Sequence, residues 1–225
     1  TSVDKALSEF RFHDAVVTMY RFFWNDFCDW YVEISKARLH DNDDADDKLT
    51  AQQVLYHVLD NALRLIHPAM PYVTEELWHH LTSLHPELSN NENRSIMISD
   101  WPKPDSEFFN EELDAEMEYA FDTVRSVRSI RATHSIPDKT KLNASVKESD
   151  AGQLKRLENN KEMIMDLAGL EEFRYGPDTQ RPPKSGVMVV DKSEMFIPLG
   201  DVIDIEKAKA KIQKEIDTKT KGIVG

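Results

Sequence analysis

Three arginines, Arg125, Arg128 and Arg131, recur at steps of three inside a segment of three-four apolar spacing. On a helix such steps hold the side chains to one side, within an arc of roughly 120°. Guanidinium groups placed this way can meet phosphates or stack on unpaired bases. The plainer role is a solvated face, or ion pairs with Glu118 and Asp122 one turn earlier. Two further basic spots offer the same chemistry. Lys36 and Arg38 end an aromatic helical run, where cations also complement the helix dipole. Arg11 lies between Phe10 and Phe12 at a junction of helical pieces, where an arginine or an aromatic ring can stack on single-stranded bases.

Other chemistry is weaker. Cys28 sits in an aromatic stripe and reads as a small buried hydrophobe, with no histidine and acid arranged near it. A single cysteine leaves no disulfide framework and no thiolate pair for zinc. His79 and His80 are adjacent and point to different faces, His85 lies past the helix end, and His67 precedes Pro68. The run Asp41 to Asp47 lacks the central glycine and closing glutamate of an EF-hand, so it reads as an exposed loop. No catalytic residue, metal site or acid–base carboxylate pair is expected. Trp24, Phe27, Trp30 and Tyr31 could serve as stacking platforms, but their spacing reads as a core stripe. Trp78 also reads as core, with its indole N–H bonded to a carbonyl.

The chain has 225 residues, enough for one large domain or one plus a smaller one. No window holds the apolar run of a membrane span, and the start lacks the pattern of a signal peptide, which favours the cytosol. The net charge of -13 opposes simple nucleic-acid binding, so any RNA affinity must come from a local basic stripe and from shape.

Hydrophobic periodicity supplies the elements that position these residues. Helices are expected over Val3–Phe10 and His13–Arg38, the latter with a break or kink at Asn25–Asp26. Another starts at Thr50, capped with Gln53 three residues on, and stops before Pro68. The next starts at Pro71 and runs to about Leu84, with Val73, Leu77, Trp78 and Leu81 on its apolar face. After the short apolar run Ile96–Ile98 and an extended Trp101–Pro104, a long helix covers Asn110–His134, its stripe traced from Leu113 and Met117 to Ile130. Then the period changes. Leu142, Ala144 and Val146 alternate as a strand, Gly152–Ala168 is one helix stopped by Gly169, and strands follow at Glu171–Tyr175, Gly186–Val190 and Met195–Pro198. A Lys- and Glu-rich helix closes the chain from Asp204 to about Thr220. The fold class is mainly α: a helical bundle over 1–138, then a small α/β subdomain over 139–225.

Certain phrases go further. They are Phe10 to Ala15, Phe23 to Glu33, His67 to Trp78, Trp101-Pro102, Val127 to Ala132, and Ile197-Pro198-Leu199. In this order they resemble the anticodon-binding region of class I aminoacyl-tRNA synthetases, and the valyl enzymes among them. The resemblance covers nearly the whole chain. The Thr74 to Trp78 phrase is shared by several such enzymes, with the isoleucyl and leucyl types as alternatives; Phe27-Cys28-Asp29-Trp30-Tyr31 is more particular to the valyl ones. The resemblance implies a helical bundle that grips the anticodon arm of a valine tRNA, a small α/β piece and a coiled coil, of which Ile205, Ile212, Ile216 and Ile223 would be the start. It makes Arg11, Lys36, Arg38, Arg125, Arg128 and Arg131 the candidate tRNA contacts. The two ATP-handling signatures of such enzymes have no counterpart here. The chain therefore reads as a monomeric C-terminal fragment with no cofactor of its own, while ATP and Mg2+ serve the full ligase. The rival reading, favoured by the acidic charge, is a helical protein-interaction module that binds no RNA.

Overall fold

A computed structural model describes residues 2–40, 43–84 and 95–200. The expected C-terminal helix and coiled-coil start, His85 and residues 41–42 of the acidic run lie outside the described residues. The chain forms two compact units, Thr1–Phe109 and Asn110–Gly225. The change of period near residue 138 marks where helix gives way to strand; the long helix before it belongs to the second compact unit. Among the described residues no helix is long and apolar enough to cross a membrane.

In the first unit, α1 (Ser2–Ser8) and α2 (Phe12–Arg21) pack through Val3, Ala6, Ala15 and Met19. The expected break at Asn25–Asp26 does not occur. The chain instead continues from α2 into an eleven-residue π-helical stretch, Phe22–Val32, and then into α3 (Glu33–His40). A π turn holds more residues than an α turn, so three-four spacing no longer keeps rings on one face. Phe27 and Trp30 are buried as expected and Tyr31 is half-buried, but Trp24 is 49% exposed and outside the core.

Helix α4 spans Ala45–Ile66 and starts earlier than its expected cap. The Asp44 carboxylate accepts from the backbone N–H groups of Asp46 and Asp47, and Asp46 and Asp47 themselves suit the positive end of the dipole. Thr50 lies inside the helix and donates its hydroxyl to the Asp46 carbonyl at 2.8 Å. Helix α5 (Pro71–Leu84) starts at its proline as expected. Its buried positions are Thr74 and Trp78; Val73 and Leu77 face solvent instead. The Trp78 indole N–H donates to a carboxylate rather than a carbonyl, reaching Asp60 Oδ1 at 2.8 Å. Asp60 also pairs with Arg64 at 2.6 Å, and Arg64 donates to the Asp100 carbonyl at 3.0 Å. Of the apolar run at 96–98 only Ile96 is buried, beside Leu63 and Trp78.

The second unit packs α6 (Glu111–His134), α7 (Ala151–Asn159) and α8 (Lys161–Ala168) with a sheet of β1 (Leu142–Lys147), β2 (Leu170–Gly176), β3 (Ser185–Val190) and β4 (Ser193–Pro198). The expected single helix over 152–168 is two, separated at Asn160. Strand order is β2-β1-β4-β3, with β1 parallel to β2 and the other pairs antiparallel. A parallel pair needs a long crossover, and α7–α8 supply it. The inner strands are the most buried: Leu142, Ala144 and Val146 on β1, and Met195, Phe196 and Ile197 on β4. Helix α6 contributes Ala120, Val124, Val127 and Ile130, whereas Leu113, expected on its stripe, is exposed in the acidic first turns.

One polar cluster anchors this core. The Ser193 hydroxyl donates to Glu148, and the Tyr119 hydroxyl lies 2.9 Å from Ser193 Oγ. Burial pushes the Glu148 carboxyl up, but donors from Ser193 and from the backbone of Asp150 and Ser149 outweigh it and hold the carboxyl below its usual range. The sign follows. A depressed native carboxyl stabilises fully above its unfolded value, and that contribution fades as pH falls through the depressed one. Ser193→Ala is therefore expected to lose most stability at neutral pH, with the deficit narrowing at low pH, and to move the acid midpoint upward, read by circular dichroism across an acid titration. An unchanged acid midpoint would refute it.

Candidate nucleic-acid interface

Each candidate cation is fixed by local structure, and most are compensated. In the first unit Arg11 bridges Glu9 at 2.7 Å and Asp14 at 2.5 Å. Asp14 first, then Glu9, raises its pKa by hydrogen bonding to the charged form. Lys36 pairs with Glu33 at 2.6 Å, one helical turn back. Arg38 reaches across to Asp47 at 2.5 Å, and that contact likewise raises its pKa.

In the second unit the three arginines of α6 diverge. Burial lowers the pKa of Arg125, yet Glu118 at 2.8 Å and Asp122 at 2.6 Å outweigh it and leave it raised. Arg128 is exposed and its Nη2 donates to the Leu167 carbonyl at 3.1 Å, near the end of α8. Arg131 is only 7% exposed. Its donors reach the carbonyls of Ala168 (3.2 Å), Pro137 (3.2 Å), Thr140 (2.8 Å) and Gly169 (2.8 Å). Desolvation lowers its pKa, with Asp138 acting against that. Arg131 thus ties the end of α6 to the α8–β2 junction. Gly169 is suited to this twice over: its φ is +65°, and a Cβ there would lie 3.0 Å from Arg131 Nη2.

One cation escaped the sequence reading. Arg21, in the last turn of α2, is exposed and has no ion pair or hydrogen bond among the described residues. Its signal was available, since no acid lies three or four residues away on the helix. Among the other expected features, Cys28 is half-buried, and desolvation followed by Asp29 pushes its thiol up, away from the thiolate a nucleophile requires. His79 and His80 pair separately with Glu75 and Glu76, at 3.0 Å and 3.2 Å.

The first unit thus carries Arg11, Lys36 and Arg38, each paired with a carboxylate, alongside exposed aromatic rings such as Phe10, Phe12 and Trp24. Residues 1–147 match the family model described as the anticodon-binding domain of tRNA ligase, and the chain belongs to that family. It is also similar to curated valine–tRNA ligases: 35% identical over 213 residues to that of Bacillus cereus, 36% over 212 residues to that of Geobacter sulfurreducens, and 33% over 221 residues to that of Bacillus subtilis. These matches cover 94–98% of this chain but only 23–24% of the relatives, so the chain spans about a quarter of their length.

Proposed function

We propose that this chain is the anticodon-arm-gripping part of a valine–tRNA ligase, acting in the cytosol as a monomer. It supplies affinity and orientation; joining valine to its tRNA, with ATP and Mg2+, belongs to the remainder of the enzyme. The observation that carries this reading is the family match over residues 1–147.

The pairing geometry supports a division of labour. Arg11, Lys36, Arg38 and Arg125 exchange solvent-accessible carboxylates for RNA phosphates. Breaking such surface pairs costs little, because solvent screens the attraction and re-solvates both charges. Arg21 adds its charge without giving up a carboxylate partner among the described residues, Arg128 presents an exposed guanidinium beside the Leu167 carbonyl, and Arg131 holds the fold beneath. The net charge of -13 keeps the affinity modest.

Binding of the chain to valine tRNA is expected to weaken steeply with salt, log K falling by roughly 0.7–0.9 per decade of salt for each phosphate neutralised. Arg128→Glu should weaken binding about tenfold and lessen the salt slope by about one contact's worth. Fluorescence anisotropy across a salt series reads both. Equal affinity for valine, isoleucine and leucine tRNAs would remove the assignment to the valyl type. A folded chain that binds none of them at low salt would favour a protein-interaction role, the one the acidic charge suits.

A further inference from the structure

Helix α1 closes in an unusual way. The Phe10 N–H donates to the Leu7 carbonyl at 3.1 Å and the Arg11 N–H to the Ala6 carbonyl at 2.8 Å. This is a Schellman turn, and Phe10 occupies its left-handed position with φ +58°. Glycine is the usual residue there, because any Cβ is strained. The left-handed position that ends α8 is filled by Gly169, and the Schellman turn after α6 uses Ser135. A phenylalanine at this place gives the turn nothing, since the apolar contact of the motif involves the residues on either side of it. Nor does Phe10 fill a core: it is 79% exposed. Its ring meets Phe12, itself 59% exposed, edge to face, with centroids 6.1 Å apart and planes at 82°. The Arg11 guanidinium between them is held by exposed carboxylates. The strained backbone thus displays a flat apolar ring in water beside an exchangeable cation.

We propose that the Phe10–Phe12 pair is a stacking platform for an unpaired base of a tRNA loop, with Arg11 meeting the adjoining phosphate. The proposal rests on the tRNA-binding reading above and deepens it. Base–aromatic stacking tolerates any base and needs an exposed ring face, which an edge-to-face pair leaves open. The cation complements the phosphate, and the turn lies within the residues matched to the anticodon-binding family.

The test is Phe10→Gly in the full chain, measured against a valine tRNA transcript at low salt. Glycine relieves the strain, so the thermal midpoint should hold or rise. Affinity should nevertheless fall about 5- to 150-fold, the loss of one stacked base. The salt slope should stay as in the wild type, because no phosphate contact is removed. Phe12→Ala should weaken binding similarly, and Phe10→Trp should restore or strengthen it. Wild-type binding with an unchanged Phe10→Gly affinity overturns the platform and leaves the tRNA reading standing. Absence of wild-type binding overturns both. Loss of self-association in Phe10→Gly, with tRNA affinity intact, assigns the pair to a protein contact and overturns the platform too.

Discussion

Arg131→Ala is expected to destabilise the second compact unit by about 3–5 kcal/mol. The side chain is 7% exposed, and its guanidinium donates to four carbonyls drawn from three stretches of chain: Pro137, Thr140, and the adjoining Ala168 and Gly169. Two of these carbonyls sit at the end of α8, where the dipole is negative and a cation is favoured. Removing the fork leaves them facing a void beside Gly169, whose missing Cβ was what made room for Arg131. Arg131→Lys keeps the charge but presents it as a point, which cannot reach all four acceptors, so most of the loss should remain. Arg128→Ala is the matched control. Its side chain is exposed, so stability should change by no more than about 1 kcal/mol while tRNA affinity drops. Amide hydrogen exchange on β1 and β2 is the suitable readout, because all four tryptophans, Trp24, Trp30, Trp78 and Trp101, lie in the first unit. If Arg131→Ala kept its stability and lost tRNA binding, the side chain would belong to the interface.

The second large effect lies in the first unit. Trp78→Ala should cost about 3–5 kcal/mol through the cavity it leaves beside Leu63 and Ile96. Trp78→Phe separates ring from hydrogen bond. It keeps most of the buried area but strips Asp60 Oδ1 of its indole donor, for an expected loss of about 1–3 kcal/mol. Asp60→Ala should cost about 3–5 kcal/mol, since it strands the indole N–H and deprives the half-buried Arg64 of its carboxylate, leaving it only neutral acceptors such as the Asp100 carbonyl. Because both changes break one contact, their effects should overlap. A double-mutant cycle of Trp78→Phe with Asp60→Ala should return a coupling of about 0.5–3 kcal/mol, and strict additivity would show that Asp60 and Trp78 do not act together.

Much of the fold was legible from the residues. The strands at 142–147 and 185–190, the proline start of α5 and the glycine stop of α8 all came from local period and punctuation. The errors share a cause. Thr50 has the chemistry of a cap, but Asp44 has it too and lies further upstream, and capping preference alone does not rank two candidates on one helix. Trp24 fits an α-helical stripe, and only the π-helical turns move it out of register. The split at Asn160 is likewise invisible to a periodicity that continues on both sides of it.

The six candidate cations show where local information ends. Spacing alone determined that Arg125, Arg128 and Arg131 share one side of a helix, and the order of phrases along the chain determined the resemblance. Only the folded chain decided that Arg125 faces two acids, that Arg128 remains at the surface, and that Arg131 turns inward to carbonyls from residues 137, 140, 168 and 169. The physical reason is geometric. An arc of roughly 120° on a helix runs from solvent to the packed boundary, and which end of it is covered depends on segments distant in sequence.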